Sequence, residues 1–90
     1  MNNDAIIELK EKLGVVSDTL YAGEVTKGIA DMGMIIPDLT TLADSISDEE
    51  LRQRLLNDVL VPALEAMEGR DGLLLADVIS YELMDILEEM

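Results

Sequence analysis

The chain has 90 residues, 49% of them apolar, and its 20 acidic and 6 basic residues give a net charge of −14. It contains no cysteine and no histidine, which excludes disulfides, thiolate chemistry and the commonest general base. Nucleic acids and anionic membrane surfaces are excluded as partners, because binding either depends on clustered Lys and Arg side chains. This length predicts a single domain, residues 1–90, near the lower limit for a chain that folds around one core.

The composition also predicts how the protein associates and where it acts. So large an apolar fraction is more than one small bundle is expected to bury, which predicts a homo-oligomer, specifically a dimer. The first residues, MNNDAIIELKEK, lack the basic region and apolar core of a secretory signal. No apolar run reaches the roughly 20 residues needed to cross a bilayer. A cytoplasmic location is therefore expected.

Apolar residues recur every three or four positions through the first half of the chain. This spacing predicts a first helix from about Asp4 to Ala22 and a second that follows almost at once and ends near Ile46. Each helix carries one apolar stripe that must be buried against another helix. The first stripe comprises Ile6, Leu9, Leu13, Val16 and Leu20, and the second comprises Val25, Ile29, Met32, Ile36, Leu39, Ala43 and Ile46.

Local signals set the ends of these two helices. Asn3 or Asp4 can cap the first helix, and Gly23 closes it. Pro37 lies inside the second helix, where it removes one backbone hydrogen bond. Because the apolar register passes through this position unbroken, we expect a kink there rather than two separate helices.

The third helix has the strongest start signal in the chain. Ser47 and Glu50 form an S-x-x-E capping box, in which each side chain bonds to the other residue's backbone amide. Asp48 with Arg52, and Glu50 with Arg54, are spaced to form i,i+4 ion pairs. A broad apolar face follows, made of Leu51, Leu55, Leu56, Val59, Leu60, Leu64 and Met67.

The fourth helix is the most apolar. Pro62 should bend the third helix, Gly69 ends it, and Asp71 caps the fourth. The apolar residues of the fourth helix exceed one narrow stripe, so we expect it to lie centrally or at a subunit interface. The chain is thus predicted to be all-α, an antiparallel helical bundle of about four helices, two of them kinked at proline.

The tripeptide Asp44-Ser45-Ile46 resembles the Asp-Ser-Leu motif at which acyl and peptidyl carrier proteins receive phosphopantetheine. Those proteins are also small, acidic and four-helical. The resemblance implies a thioester tether on Ser45 and docking of basic partner enzymes against acidic residues of the second helix. The chain departs from the family at Leu42, where carriers usually have a glycine.

A second resemblance covers the C-terminal half, from about Leu51 to Glu89. The segment LADVISYEL, residues 75–83, is similar to the closing segment of a group of small acidic bacterial helical proteins of unknown function. In that group an Asp and a Tyr-Glu-Leu triplet follow a helix containing a proline like Pro62. The resemblance implies a helical bundle and no particular reaction.

The fourth helix also carries acidic and aromatic residues that need an interpretation. Asp77, Glu82 and Asp85 are candidates for a metal site, but carboxylate metal bundles combine Glu with His from facing helices. A solvated acidic face is the better interpretation, and no metal or other cofactor is expected. Tyr21 and Tyr81, the two aromatic residues, are expected to bury their rings and leave their hydroxyls at the edge of the core.

These observations predict a non-enzymatic protein, because no nucleophile–base pair or phosphate-binding glycine loop is recognisable. The preferred interpretation is a protein–protein interaction or chaperone-like module that self-associates or covers an amphipathic helix of a partner protein. A carrier protein is the alternative.

The interface candidates are Met34, which falls off the second stripe, and Leu74, Val78, Tyr81 and Met84 on the fourth helix. Met32 and Met67 fit core filling better than a pliable binding groove.

Overall fold

The computed structural model describes residues 3–90, and all regular structure in that range is helical. Helix α1 spans Asn3–Tyr21, α2 spans Val25–Ser45, α3 spans residues 49–68 and α4 spans residues 72–88. Three-residue connections join consecutive helices, so neighbours in the chain run antiparallel. The predicted all-α bundle of four helices is confirmed.

The apolar stripes predicted for α1 and α2 form much of the core. Every residue of the α1 stripe is buried. In α2 the buried positions include Met32, Leu39 and Ala43, as predicted, while Ile35 is buried in place of Ile36, which is only partly covered. Helix α4 contacts all three other helices, in agreement with its predicted central position.

Helix α1 begins and ends one residue earlier than predicted, at Asn3 and Tyr21. Asp4 lies in its first turn, where a carboxylate interacts favourably with the helix dipole. Asn3 was also predicted as a cap, but its side chain lies outside the part of the chain that the structure describes. Gly23 follows the helix with a φ of +89°, a left-handed conformation that glycine adopts without strain.

The start of α3 differs from the predicted capping box. Asp48, rather than Ser47, caps the helix, and its carboxylate accepts from the backbone N–H groups of Glu50 at 3.0 Å and Leu51 at 3.3 Å. The shift follows from Ile46, which stays buried in the core and donates its N–H to the Ala43 carbonyl. Helix α3 therefore begins one residue later than the motif suggested.

The ion pairs predicted at the start of α3 are also replaced by others. Arg52 pairs with Glu49, while Arg54 reaches across to Glu89 at the end of α4 at 2.6 Å. The hydrogen bond to Glu89 raises the pKa of the Arg54 guanidinium. Asp71 caps α4 as predicted, accepting from the Leu74 N–H at 3.0 Å.

The chain remains helical across both prolines. Helix α2 continues through Pro37 without a change of helix type. In α3 a π-helical turn, Leu55–Leu60, precedes Pro62, and the N–H of Val61 bonds to the Leu56 carbonyl five residues back. The flanking segments of α3 are α-helical, Glu49–Arg54 and Val61–Glu68.

Helix α4 contains a second π-helical turn, which the sequence analysis did not predict. The turn is Val78–Leu83, between Gly72–Asp77 and Met84–Glu88, and it packs against the π turn of α3. In and next to each π turn, fully buried residues recur at successive steps of four. An α turn holds about 3.6 residues, so repeated steps of four drift off one face, and a π turn corrects the drift. The residues are Leu55, Val59 and Ala63 in α3, and Leu75, Ile79 and Leu83 in α4.

Two glycines let α1, α2 and α4 approach closely at one end of the bundle. A Cβ atom on Gly28 would lie 2.6 Å from the Cγ of Leu20, and one on Gly72 would lie 2.7 Å from a Cγ of Val25. Both distances are shorter than side chains tolerate. The absence of a side chain at Gly28 and Gly72 therefore sets how near these helices come.

Candidate protein-binding surfaces

The seam between α1 and α2 is open along much of its length, and we call it the α1–α2 groove. It consists of two depressions of about 440 Å³ and about 360 Å³. Lys12 of α1 and Asp38 of α2 line both of them. The two depressions therefore form one continuous feature of the surface.

Apolar side chains form most of the floor and walls of this groove. The first depression lies at the Ser45 end of α2 and is lined by Ile6, Leu9 and Leu42 among others. The second is lined by Val15, Val16, Met34 and Ile35 among others. Ile6, Leu9, Val16 and Ile35 belong to the buried core, so the groove exposes the edge of the core itself.

Met34 and Val15 rise beside the second depression and are largely exposed. Met34 is 78% exposed, which confirms the prediction that it falls off the α2 stripe. Val15 is 60% exposed. The sequence analysis did not select Val15, although it carries the same signal, an apolar residue outside the stripe of its helix.

Charged side chains lie along the rim of the α1–α2 groove. Lys12 pairs with Glu8 at 3.2 Å, and Lys27 pairs with Asp31 at 2.7 Å. The hydrogen bond to Asp31 raises the pKa of Lys27 above its ordinary value. With Asp38, the rim therefore carries three carboxylates and two ammonium groups, a net charge of −1.

A second surface lies across α1 and α4, and we call it the tyrosine face: Tyr21, Leu74, Asp77 and Tyr81. The Tyr21 hydroxyl donates to the Asp77 carboxylate at 2.7 Å, and this bond raises the pKa of Tyr21 above its ordinary value of 10.0. Leu74, Asp77 and Tyr81 follow one another at helical spacing and are all exposed. The face therefore combines aromatic, aliphatic and acidic groups.

The tyrosine face rests on a polar contact between α1 and α4. The hydroxyls of Ser17 and Ser80 are hydrogen-bonded at 2.7 Å, and Ser17 is buried in the seam. A buried hydroxyl is costly unless it is satisfied. This pair consequently fixes how α1 and α4 align, and with it the relative positions of Tyr21 and Asp77.

The structure corrects three of the residue predictions made for these surfaces. Both tyrosine rings were predicted to be buried, but Tyr81 is 70% exposed and Tyr21 is 45% exposed. They occupy helix positions between the core residues, where the hydroxyl of Tyr21 is satisfied by Asp77.

Val78, predicted at an interface, is only 6% exposed because α4 faces three other helices and buries adjacent residues. Of the remaining candidates, Leu74 is exposed and Met84 packs partly against the core.

Ser45, the candidate attachment site for phosphopantetheine, is the last residue of α2 and is exposed. Its hydroxyl donates to the Leu42 carbonyl at 2.7 Å, and its side chain lines the first depression of the groove. The following helix begins after Asp48. Ser45 thus closes one helix and does not open the next.

Among residues 3–90 no group of three or more metal-binding side chains is arranged to hold an ion. No helix in this range is both long enough and apolar enough to cross a membrane.

Comparisons with known proteins add no assignment. No family model matches the chain, and no curated protein or solved structure shows significant similarity to it. The resemblances described above therefore rest on the residues that carry them.

Proposed function

We propose that this protein is a non-enzymatic, chaperone-like interaction module that self-associates through its tyrosine face. The observation that carries the proposal is the exposure of Tyr81 beside Tyr21 and Leu74. Tyrosine supplies a large contact area with few rotatable bonds, and it is enriched at the centres of protein interfaces. An isolated monomer gains nothing by exposing these three residues together.

The proposed association joins bundles that are already folded. The accessible surface is 5153 Å², close to the roughly 5200 Å² expected for a compact monomer of 9.9 kDa. The bundle therefore exposes no more surface than a protein of this size that folds alone. An interface of about 800 Å² on each copy would cover only part of the surface, and a substitution on the tyrosine face should leave the fold intact.

Charge limits how tightly two copies can bind. Asp77 lies within the tyrosine face, and the exposed carboxylates of Asp18 and Asp85 lie one turn from Tyr21 and Tyr81. Two copies that meet there bring like charges together, and dissolved salt screens this repulsion. Self-association is consequently expected to strengthen as the salt concentration rises.

We expect Tyr81→Glu to weaken the dimer at least about tenfold, because it removes a central aromatic contact and adds a like charge. Sedimentation equilibrium at tens of micromolar protein, in about 50 mM and about 300 mM salt, measures the dissociation constant. Met34→Glu is the matched control, since it makes the same charge change at an exposed site in the α1–α2 groove. It should change the dissociation constant by less than about twofold.

Two results would contradict self-association through this face. One is a chain that sediments as a monomer at both salt concentrations. The other is an equal effect of Tyr81→Glu and Met34→Glu, which would assign the change to net charge alone. Circular dichroism of each variant checks that its helix content is unchanged.

A carrier protein is the second candidate, and the exposure of Ser45 at the edge of an apolar depression favours it. A phosphopantetheine arm joined to the Ser45 hydroxyl through its phosphate would begin next to Ile6 and Leu9. Incubation with a phosphopantetheinyl transferase and coenzyme A, followed by intact mass measurement, tests this function. A mass gain that Ser45→Ala abolishes supports it, and an unchanged mass rules it out.

A further inference from the structure

We infer that the α1–α2 groove binds a basic amphipathic helix of another protein. The inference rests on the proposed interaction function but uses a different surface and a different partner from self-association. The shape of the groove favours a protein helix as the occupant. The charge of its rim favours a helix that is positively charged.

The length of the α1–α2 groove suits a short helical segment. Residues 5–16 of α1 line it, which at about 1.5 Å per residue gives roughly 16 Å, or three helical turns. On α2 the first depression is lined by residues 38–45 and the second by residues 31–38, so the two are offset by seven residues, about two helical turns. Two large apolar side chains at positions i and i+7 of a bound helix would therefore each enter one depression, a spacing typical of helix-in-groove recognition.

The walls of the α1–α2 groove can adapt to such anchors. Met34 stands largely exposed beside the second depression, and its unbranched thioether can follow anchors of different shape. Its exposure shows that no neighbouring side chain packs tightly against it.

The charge of the groove determines the sign of the charge that a partner should carry. The rim carries Glu8, Asp31 and Asp38 against Lys12 and Lys27, and the whole chain carries −14. Helices of a second copy would bring further carboxylates to this rim, so another molecule of this protein is a poor occupant. Lys and Arg side chains on the polar face of a bound helix would instead lie against Asp38, which forms no ion pair within residues 3–90, and would share Glu8 and Asp31 with their lysine partners.

The test uses a synthetic amphipathic peptide of about 18 residues with leucine at i, i+3, i+4 and i+7 spacing and lysine elsewhere. Its control has the same composition in an order that leaves no apolar face. Isothermal titration calorimetry should show the amphipathic peptide binding at least about tenfold more tightly than the control. Raising the salt from about 50 to about 300 mM should weaken binding, opposite to its effect on self-association.

Two lysine variants locate the site. Met34→Lys should weaken binding of the amphipathic peptide about tenfold, whereas Tyr81→Lys makes the same charge change on the other surface and should change it less than about twofold. Equal effects of both variants, or equal affinity for both peptides, would overturn the inference and indicate non-specific attraction. Sedimentation of the unmodified protein tests the tyrosine face separately, so either proposal can fail without the other.

Discussion

Replacing Ile79 by alanine should lower the free energy of unfolding by about 2–5 kcal/mol, a large part of the stability of a domain of this size. Ile79 is fully buried at the centre of the bundle, within the π turn of α4 that packs against the π turn of α3. Truncation removes buried methyl groups and leaves a cavity that rigid neighbouring helices cannot fill. Urea unfolding followed by circular dichroism measures the change.

Leu73→Ala is the matched control for that substitution. Leu73 lies on the same helix and is 65% exposed, so its loss should change the free energy of unfolding by no more than about 0.5 kcal/mol. Similar effects at the two positions would contradict the packing described for α4. They would mean that the face of α4 assigned to the core is not buried in solution.

Gly28→Ala is expected to destabilise the protein by about 1–3 kcal/mol, because the new methyl group overlaps a buried leucine. Its Cβ atom would lie 2.6 Å from the Cγ of Leu20, the branch point of a side chain that is itself buried. Leu20 cannot move aside without displacing α1 from α2. This cost exceeds the gain of about 1 kcal/mol that alanine brings to a helix interior. Thermal unfolding of the variant measures the net effect.

Gly14→Ala makes the same chemical change where space is available. A Cβ atom on Gly14 meets nothing within 4 Å, so only the helix propensity and the entropy of the unfolded chain should change. The variant is expected to be more stable by about 0.4–1 kcal/mol. If both alanine variants stabilised the protein, the close approach of α1 and α2 at Gly28 would be wrong.

The regular apolar spacing of α1 was sufficient to predict which of its residues are buried, whereas in α2 it selected Ile36 where Ile35 is buried. In α1 the steps alternate between three and four, which keeps one stripe on one face, and all five residues of that stripe are buried. The start of α3 was predicted one residue too early, because the capping motif was weighed without the core position of Ile46. Local motifs compete with tertiary packing, and here packing decides.

The π turns were not predicted, although the sequence contains a signal for them. Steps of four from Leu55 to Val59 to Ala63 drift by about 40° each around a regular α-helix. Such steps can also be interpreted as a broad apolar face, which is how α3 and α4 were first understood. Only the packing of the two helices against each other distinguishes the two interpretations.

The candidate surfaces were only partly predictable. Met34 was selected because it lies off its stripe, and its exposure follows directly from helical geometry. The α1–α2 groove depends on how far two helices stand apart, which periodicity does not determine. The tyrosines were assigned to the core because aromatic residues usually occupy it, but their helical positions direct them outward.

The paired π turns affect how this protein can change in length. Each π turn takes an additional residue into its helix, and the two turns lie side by side. Helices α3 and α4 form a hairpin, and its two arms therefore advance by equal lengths from the connection at residues 69–71 to the Arg54–Glu89 contact. Deleting one residue from a single arm would shift the rest of that arm by about 1.5 Å and rotate it by about 100°. Compensating deletions in both arms would keep their lengths equal and their buried faces in contact. Changes in the length of this hairpin should therefore occur in both helices together.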